Sequence, residues 1–471
     1  MAEQLTQLSA TEQLALLRAK KISSRELFDE FWSQHEAQNA ALNAVVHTQP
    51  ERALADCVRA DDALARGEWL GPLHGLTMTI KDAIAVEGMV STGGAEELKA
   101  YVPSADAPAV ARLRAAGASV YGKTNVPRWS GEIQTYNDVY GTSNNPWDLN
   151  RTTGGSSGGA AAAVAAGLTA FELGTDIGGS VRIPAAFCGT FSHKPSHGVI
   201  SQRGYLSHVG AGATDADINV FGPLARSVED LQLALDVLAG PDEEKAHAWQ
   251  LNLPSSRHER LADFRIGTWL DDPACEVDTE IVGMLDDVVA LIGKEGASID
   301  SAKPPIDLDE SCQLFMSLVY GAMSKSFDYE VGKQLGGWHV DWVTNDEKRA
   351  VLRQRWRSYF RDHDVLLCPV MPMTAFPHDH SKPMLNRTVV VNGKERPHLS
   401  CMHWLGSFGV AYLPATVIPI GRTTAGLPVG MQIVGPYLED RTTLAVAAEI
   451  SSRLEGFVAP PVLQAPPEAR S

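Results

Sequence analysis

The chain has 471 residues, with 57 acidic against 40 basic side chains and a formal charge of −17 when histidines are neutral. A protein that tracks phosphates needs a basic face, so this balance argues against nucleic-acid binding. Hydrophobic residues at 44% and charged residues at 21% are ordinary for a soluble globular enzyme, and they exclude both a disordered chain and one dominated by membrane spans. The opening Met1-Ala2-Glu3-Gln4 has no basic segment leading into an apolar one, and no uncharged apolar run reaches the ~18 residues of a span. The expectation is a cytoplasmic, unanchored chain. Its six cysteines are far apart, without C-x-x-C, and read as buried free thiols rather than as a disulfide framework or a zinc site.

In chain order, Ser9 with Glu12 and Ser23 with Glu26 fit the capping-box spacing, in which two side chains satisfy exposed amides at a helix start. The first 64 residues therefore read as helices. From Leu73 onward, short apolar runs at Gly75–Ile80, Ala118–Gly122 and Phe171–Gly174 alternate with helical stretches such as Ala107–Ala116, which predicts an α/β fold. The segments 240–265 and 303–310 read as connections. Asp346–Arg361 reads as a solvated helix with Leu352, Trp356 and Phe360 as its buried stripe. Two apolar runs, Leu413–Ile420 and Leu427–Val434, precede a closing helix that Asp440 is placed to cap.

Two glycine-rich segments carry the chemistry: Gly154-Gly155-Ser156-Ser157-Gly158-Gly159, and Asp176-Ile177-Gly178-Gly179-Ser180-Val181-Arg182. Such turns bare backbone N–H groups toward a phosphate or an oxyanion. Neither G-x-G-x-x-G nor the P-loop spacing is met, because Ser156 replaces the second glycine and no lysine follows. Serines among the glycines point to acyl transfer, which needs a base. None of the fourteen histidines sits in a familiar Ser-His motif, and the sequence has no S-x-x-K. A desolvated lysine can serve, and Lys81 ends the apolar run Leu76–Ile80; a lysine ending a strand can equally be a plain surface residue.

Gly71-Pro72-Leu73-His74-Gly75-Leu76 followed by Lys81-Asp82, then Gly154–Gly159, then Gly174-Thr175-Asp176-Ile177-Gly178-Gly179-Ser180-Val181-Arg182-Ile183-Pro184, together resemble the amidase signature family of serine hydrolases. Ala107–Asn125, Asn144–Trp147 and Gly426–Gln432 look like family segments as well, so the resemblance covers most of the chain. The 24-residue separation of Ser156 and Ser180 also matches the family's serine pair.

The resemblance implies a single α/β domain over 1–471, with a twisted mixed sheet of about ten strands flanked by helices on both sides. Its parts would be N-terminal helices at 1–64, a signature core at 65–215, a variable, substrate-shaping half at 240–410 and closing elements at 411–471. It implies Lys81 as general base, Ser156 as a bridging serine entered through a cis peptide bond, Ser180 as nucleophile, and the backbone amides of Ile177, Gly178, Gly179 and Ser180 as oxyanion hole. The implied reaction is hydrolysis of small amides, anilides or carbamates through an acyl-enzyme, with no metal or cofactor, by a monomer or homodimer that contacts neither nucleic acid nor membrane.

Candidate pocket residues are Trp129, Gln134, Tyr136, Met373 and Phe376, with Trp404 a further one; each is equally readable as core. His378-Asp379-His380 reads as a loop rather than a metal site. Thr77 stands where the family favours proline, and Phe191-Ser192-His193-Lys194-Pro195 where it favours Gly-Leu-Lys-Pro, with His193 expected to be structural. The same signature occurs in the A subunit of glutamyl-tRNA amidotransferase. That family's Gly-Leu-Lys-Pro-Thr and Asp-Gln-Ile-Gly-Pro are absent here, which favours a free-standing amidase. A binding module whose glycine loops hold an anion is the third reading.

Overall fold

The computed structural model describes residues 5–326 and 329–461. The opening Met1–Gln4 and the end of the closing segment, 462–471, lie outside the described residues.

Both capping boxes form: Ser9 Oγ and Ser23 Oγ accept the N–H groups of Glu12 and Glu26, whose carboxylates reach back to the serine amides, at the heads of helices Ala10–Arg18 and Ser24–Leu42. The apolar runs become strands of one mixed sheet. In chain order these are β1 (Val45–Thr48), β2 (Thr77–Lys81), β3 (Ser119–Thr124), β4 (Glu172–Asp176), β5 (Phe191–Lys194), β6 (Val220–Ala225), β7 (Arg265–Thr268), β8 (Ser298–Asp300), β9 (Val365–Pro369), β10 (Ala415–Arg422) and β11 (Pro428–Val434). The sheet has eleven strands, in the order β1-β3-β2-β4-β6-β5-β10-β11-β9-β7-β8. β2, β3 and β4 run parallel, so β2 and β4 bring Lys81 and Asp176 to the same end of neighbouring strands. That end of a parallel sheet is where crossover loops converge on a ligand.

Every residue of β2, β3, β4 and β11 is buried, as expected for central strands covered on both faces. Helix Gly158–Ala165, glycine and alanine with one valine, is buried at every position; only side chains this small let a helix pass through the core at close range. The six cysteines are free and buried.

Four local readings change. Within the first 64 residues, read as helices, Val45–Thr48 forms the edge strand β1. The 303–310 connection is shorter than expected, because a helix begins at Leu308, capped by Asp307. Within 240–265 a short helix, Glu243–Ala246, forms on the cap of Asp242. Asp440 does not cap the closing helix Asp440–Ser451: Glu439 holds that position, and the Asp440 carboxylate turns into the core to meet His193 Nε2 at 3.1 Å and the Ser196 N–H at 2.8 Å. A buried histidine and a buried amide, both out of reach of water, outbid the helix end for that carboxylate. His193 completes its pairing with Thr416 Oγ1 at 2.9 Å, a structural role.

Candidate active site

Three polar segments converge at the ends of β2 and β4. Lys81, the last residue of β2, is fully buried, and its Nζ lies 2.6 Å from Ser156 Oγ, 2.7 Å from Thr175 Oγ1 and 3.0 Å from Ser157 Oγ. The amine therefore sits in a cage of three hydroxyls and touches no carboxylate among the described residues. Burial pushes its pKa well below the ordinary lysine value, against the opposing pull of the Asp176 carboxylate and of Glu172 when that carboxyl is ionised. Nζ is placed to donate to all three hydroxyls.

The first glycine loop is pressed against its surroundings. A side chain at Gly155 would place Cβ 2.6 Å from the Glu132 carbonyl oxygen, so only glycine fits before Ser156. The Gly155–Ser156 peptide is cis, as the resemblance implies. The loop is tied to the second one by the Ser157 N–H, which donates to the Ser180 carbonyl at 3.0 Å.

The second loop turns sharply between β4 and helix Arg182–Cys188, with Gly179 at φ +105°, a conformation that favours glycine. The turn is organised by Asp176, which accepts the Gly179 N–H at 2.8 Å and the Val181 N–H at 3.2 Å, and binds Arg182 through Nε at 3.0 Å and Nη2 at 2.9 Å. Burial alone would raise this carboxyl; the Arg182 guanidinium outweighs it and holds the pKa at about 2. Arg182 also donates to Gln432 Oε1 at 2.8 Å and to the Leu405 carbonyl at 3.2 Å, which anchors the turn to β11 and to helix His403–Gly409. Of Lys81, Ser156, Ser157, Thr175 and Ser180, solvent reaches Ser180 most, at 7% exposure.

Beneath the amine, Glu172 is buried on β4. It accepts from Thr124 Oγ1 at 2.9 Å and from Thr79 Oγ1. Burial lifts its pKa to about 8.

The structure brings Lys81 and Ser156 into direct contact and ties Ser180 to the same loop through its carbonyl and the Ser157 N–H; the expected pocket residues make contacts of their own. Trp129 is buried with a left-handed backbone and lines a cavity of about 640 Å³ together with Arg128, His208, Lys325 and Lys333. Gln134 clamps the backbone of Asp379 from both sides, at 2.6 and 3.0 Å. The Tyr136 hydroxyl accepts from Arg387 at 2.7 Å, and its ring stacks on His380 at 3.9 Å. Phe376 meets Phe187 and His398 edge-on, Met373 is buried, and Trp404 donates to the Cys275 carbonyl from within the core. Gln134 and Tyr136 thus shape the 378–380 loop. No group of three His, Cys, Asp or Glu side chains among the described residues could hold a metal ion.

Sequence reasoning missed the wall of the site. A Cβ on Gly178 would lie 2.8 Å from Met402 Cε and 3.1 Å from Phe315 Cζ, so these two side chains lie directly over Gly178, two residues before Ser180. Neither carries a local signal, because each arrives from more than a hundred residues downstream. Thr175, by contrast, stands within the Gly174–Pro184 stretch, where sequence reasoning assigned it no role.

Comparison with known proteins agrees with this geometry. The model of the Amidase family matches residues 26–342 and 337–444. An acylamidase from Rhodococcus erythropolis is 32% identical over 477 residues, covering 96% of this chain and 97% of that one. The A subunit of glutamyl-tRNA(Gln) amidotransferase from Synechococcus sp. (strain CC9605) is 29% identical, covering 94% of this chain and 96% of that one. Among solved structures, a bacterial aryl acylamidase of the amidase signature enzymes superposes with a TM-score of 0.80 at 25% identity, covering 94% of this chain and 96% of that one.

Proposed function

The chain belongs to the amidase family and is an amide-bond hydrolase; from that premise we propose that it acts through an acyl-enzyme on Ser180, with Ser156 as proton bridge and Lys81 as base. The observation that carries this reading is the Lys81 cage: a buried amine surrounded by hydroxyls, without a carboxylate to keep it charged, beside the more accessible Ser180.

Neutral Lys81 takes the proton of Ser156 as Ser156 takes that of Ser180. Ser180 Oγ attacks the substrate carbonyl, and the C–N bond breaks as the relay returns the proton to the departing nitrogen. Water then attacks the acyl-enzyme along the same relay and releases the carboxylic acid and Ser180. The Gly179 N–H is engaged by Asp176, so the oxyanion falls to the amides of Ile177, Gly178 and Ser180.

Phe315 and Met402 over Gly178 favour substrates presenting a compact, apolar group beside the carbonyl. Small amides and anilides fit that description, and carbamates of similar size are the neighbouring class. The enzyme is read as a cytoplasmic monomer or homodimer that needs no cofactor.

The test is to incubate the purified chain alone with an anilide and to measure released aniline together with the mass of the trapped Ser180 adduct. Turnover without added proteins, with the adduct on Ser180, supports the reading. Turnover that requires partner subunits and glutamine would move the chain to the amidotransferase class, and an adduct on Ser156 would exchange the roles of the serines.

A further inference from the structure

Away from the Lys81 cage, the helix His339–Asp362 presents Arg353, Arg357 and Arg361 at four-residue spacing, hence on one face. That face walls a cavity of about 630 Å³, whose other charged walls are Arg257, Arg265, Asp364 and Glu439. Five arginines thus meet two carboxylates, in a chain whose overall charge is −17.

Both carboxylates are already committed. Glu439 holds Arg257 through two bonds of 2.6 and 2.7 Å. Asp364 holds Arg265 at 2.7 Å and Arg257 at 3.0 Å; burial would raise its pKa, and the bonds from Arg265 hold it at about 2. Arg353, Arg357 and Arg361 have no carboxylate within ion-pair distance among the described residues. Arginines elsewhere on the same helix are paired: Arg349 with Asp217 and Asp346, Arg355 with Glu310.

Like charges four residues apart on a helix repel, and only the arginines that face the cavity are left to do so. Arg353 is also pre-oriented. Its guanidinium carbon lies 4.6 Å from the centre of the Tyr437 ring and 5.0 Å from that of Tyr412, which holds the group beside the cavity.

We infer that this cavity binds a small polyphosphate anion, with Arg353, Arg357 and Arg361 as its ligands. The three guanidinium-bearing positions span about 12 Å along the helix axis, which a chain of phosphoryl groups can address and a single carboxylate cannot. The planar fork of each arginine matches two phosphate oxygens. The phosphates come either from an inorganic polyphosphate or from a nucleotide.

Calorimetric titration of the full chain with inorganic triphosphate in low-salt buffer tests this, with ATP and succinate as parallel arms. The expected result is saturable one-site binding with a Kd below about 1 mM, weakening with added salt. Succinate should bind at least about tenfold more weakly, since it offers two separated carboxylates to three forks. ATP tighter than triphosphate assigns the source as a nucleotide; equal affinities assign the phosphate chain alone. Arg357 is exposed, so Arg357→Ala should leave the fold intact while weakening triphosphate about tenfold or more. Arg355→Ala, on another face, should leave affinity unchanged. Absence of saturation by about 10 mM triphosphate, or equal affinity in wild type and Arg357→Ala, overturns the inference.

Discussion

Lys81 and Arg182 are both buried to zero exposure at the same end of the sheet, and the fold treats them in opposite ways. Lys81 is given three hydroxyls and no contacting carboxylate; Arg182 is given the Asp176 carboxylate through two bonds, together with Gln432 and a carbonyl. A lysine can escape the cost of burial by losing its proton, whereas an arginine cannot, so only the arginine requires a counter-charge. The difference separates two tasks within one site. In the proposed mechanism the lysine is the group that accepts a proton, and the ion pair is the group that holds the turn carrying the Ile177, Gly178 and Ser180 amides.

The comparison breaks most severely at the reacting groups. Ser180→Ala and Lys81→Ala should each lower kcat for an anilide by about 10⁴-fold or more while urea unfolding stays cooperative. Ser156→Ala should also lose several orders of magnitude, yet keep slow labelling of Ser180 by a fluorophosphonate, because it removes the bridge and not the nucleophile. Labelling of Ser180→Ala at the wild-type rate would contradict the assignment.

Asp176→Asn attacks the other half. It leaves Arg182 charged and buried without its partner, and loss of one member of such a pair costs about 3–5 kcal/mol, readable as a lower urea midpoint. Because Asp176 is held at about 2 in the folded chain against an ordinary 3.8, its stabilisation is full above pH 3.8 and is lost as pH falls through about 2. The variant should lack that acid-side decline. It should also lose activity, since the Gly179 and Val181 amides lose the charge that organises the turn.

These two environments were legible to different degrees. Lys81, Ser156 and Ser180 were legible through the family resemblance that their glycine-rich segments and strand end carry, whereas the capping serines Ser9 and Ser23 were readable from their spacing alone. Phe315 and Met402 were not, because which apolar side chain reaches Gly178 is decided by how distant helices pack, and periodicity marks only that each is buried. Asp440 shows the same limit from the polar side: its position at a helix start pointed to a cap, and the nearness of His193, 247 residues away in sequence, decided otherwise. The stripe of the arginine helix was legible, since Leu352, Trp356 and Phe360 are buried at the spacing that marks them. That three of its arginines gather at one cavity depends on elements that local spacing does not register.

The pH profile sharpens the comparison by a smaller effect. If Lys81 acts only when neutral, kcat/KM falls about tenfold for each pH unit below its pKa, and rises to a plateau above it. Burial sets that limb well below the ordinary lysine value of about 10.4. A limb near that ordinary value would mean that the amine is charged in the resting enzyme. Treatment with a strong chelator should leave the plateau unchanged, because the proposed oxyanion site is built of backbone amides.

The smallest effect concerns Glu172, which tests whether a charge beneath the cage matters to Lys81. Its carboxyl, raised to about 8 by burial, is mostly protonated at neutral pH and so offers the amine little negative charge. Glu172→Gln keeps the shape and replaces one neutral acceptor group with another, so kcat/KM at pH 7 should stay within about twofold and the acid limb should not move. Stability supplies the sign. A carboxyl raised in the fold from 4.5 to about 8 contributes fully below pH 4.5 and loses that contribution as pH rises through about 8, so wild type should weaken across this window relative to the variant. If instead the acid limb of Glu172→Gln shifted to lower pH, Glu172 would be ionised beneath Lys81. The amine would then owe part of its pKa to a carboxylate, and its distinction from Arg182 would be one of distance rather than of kind.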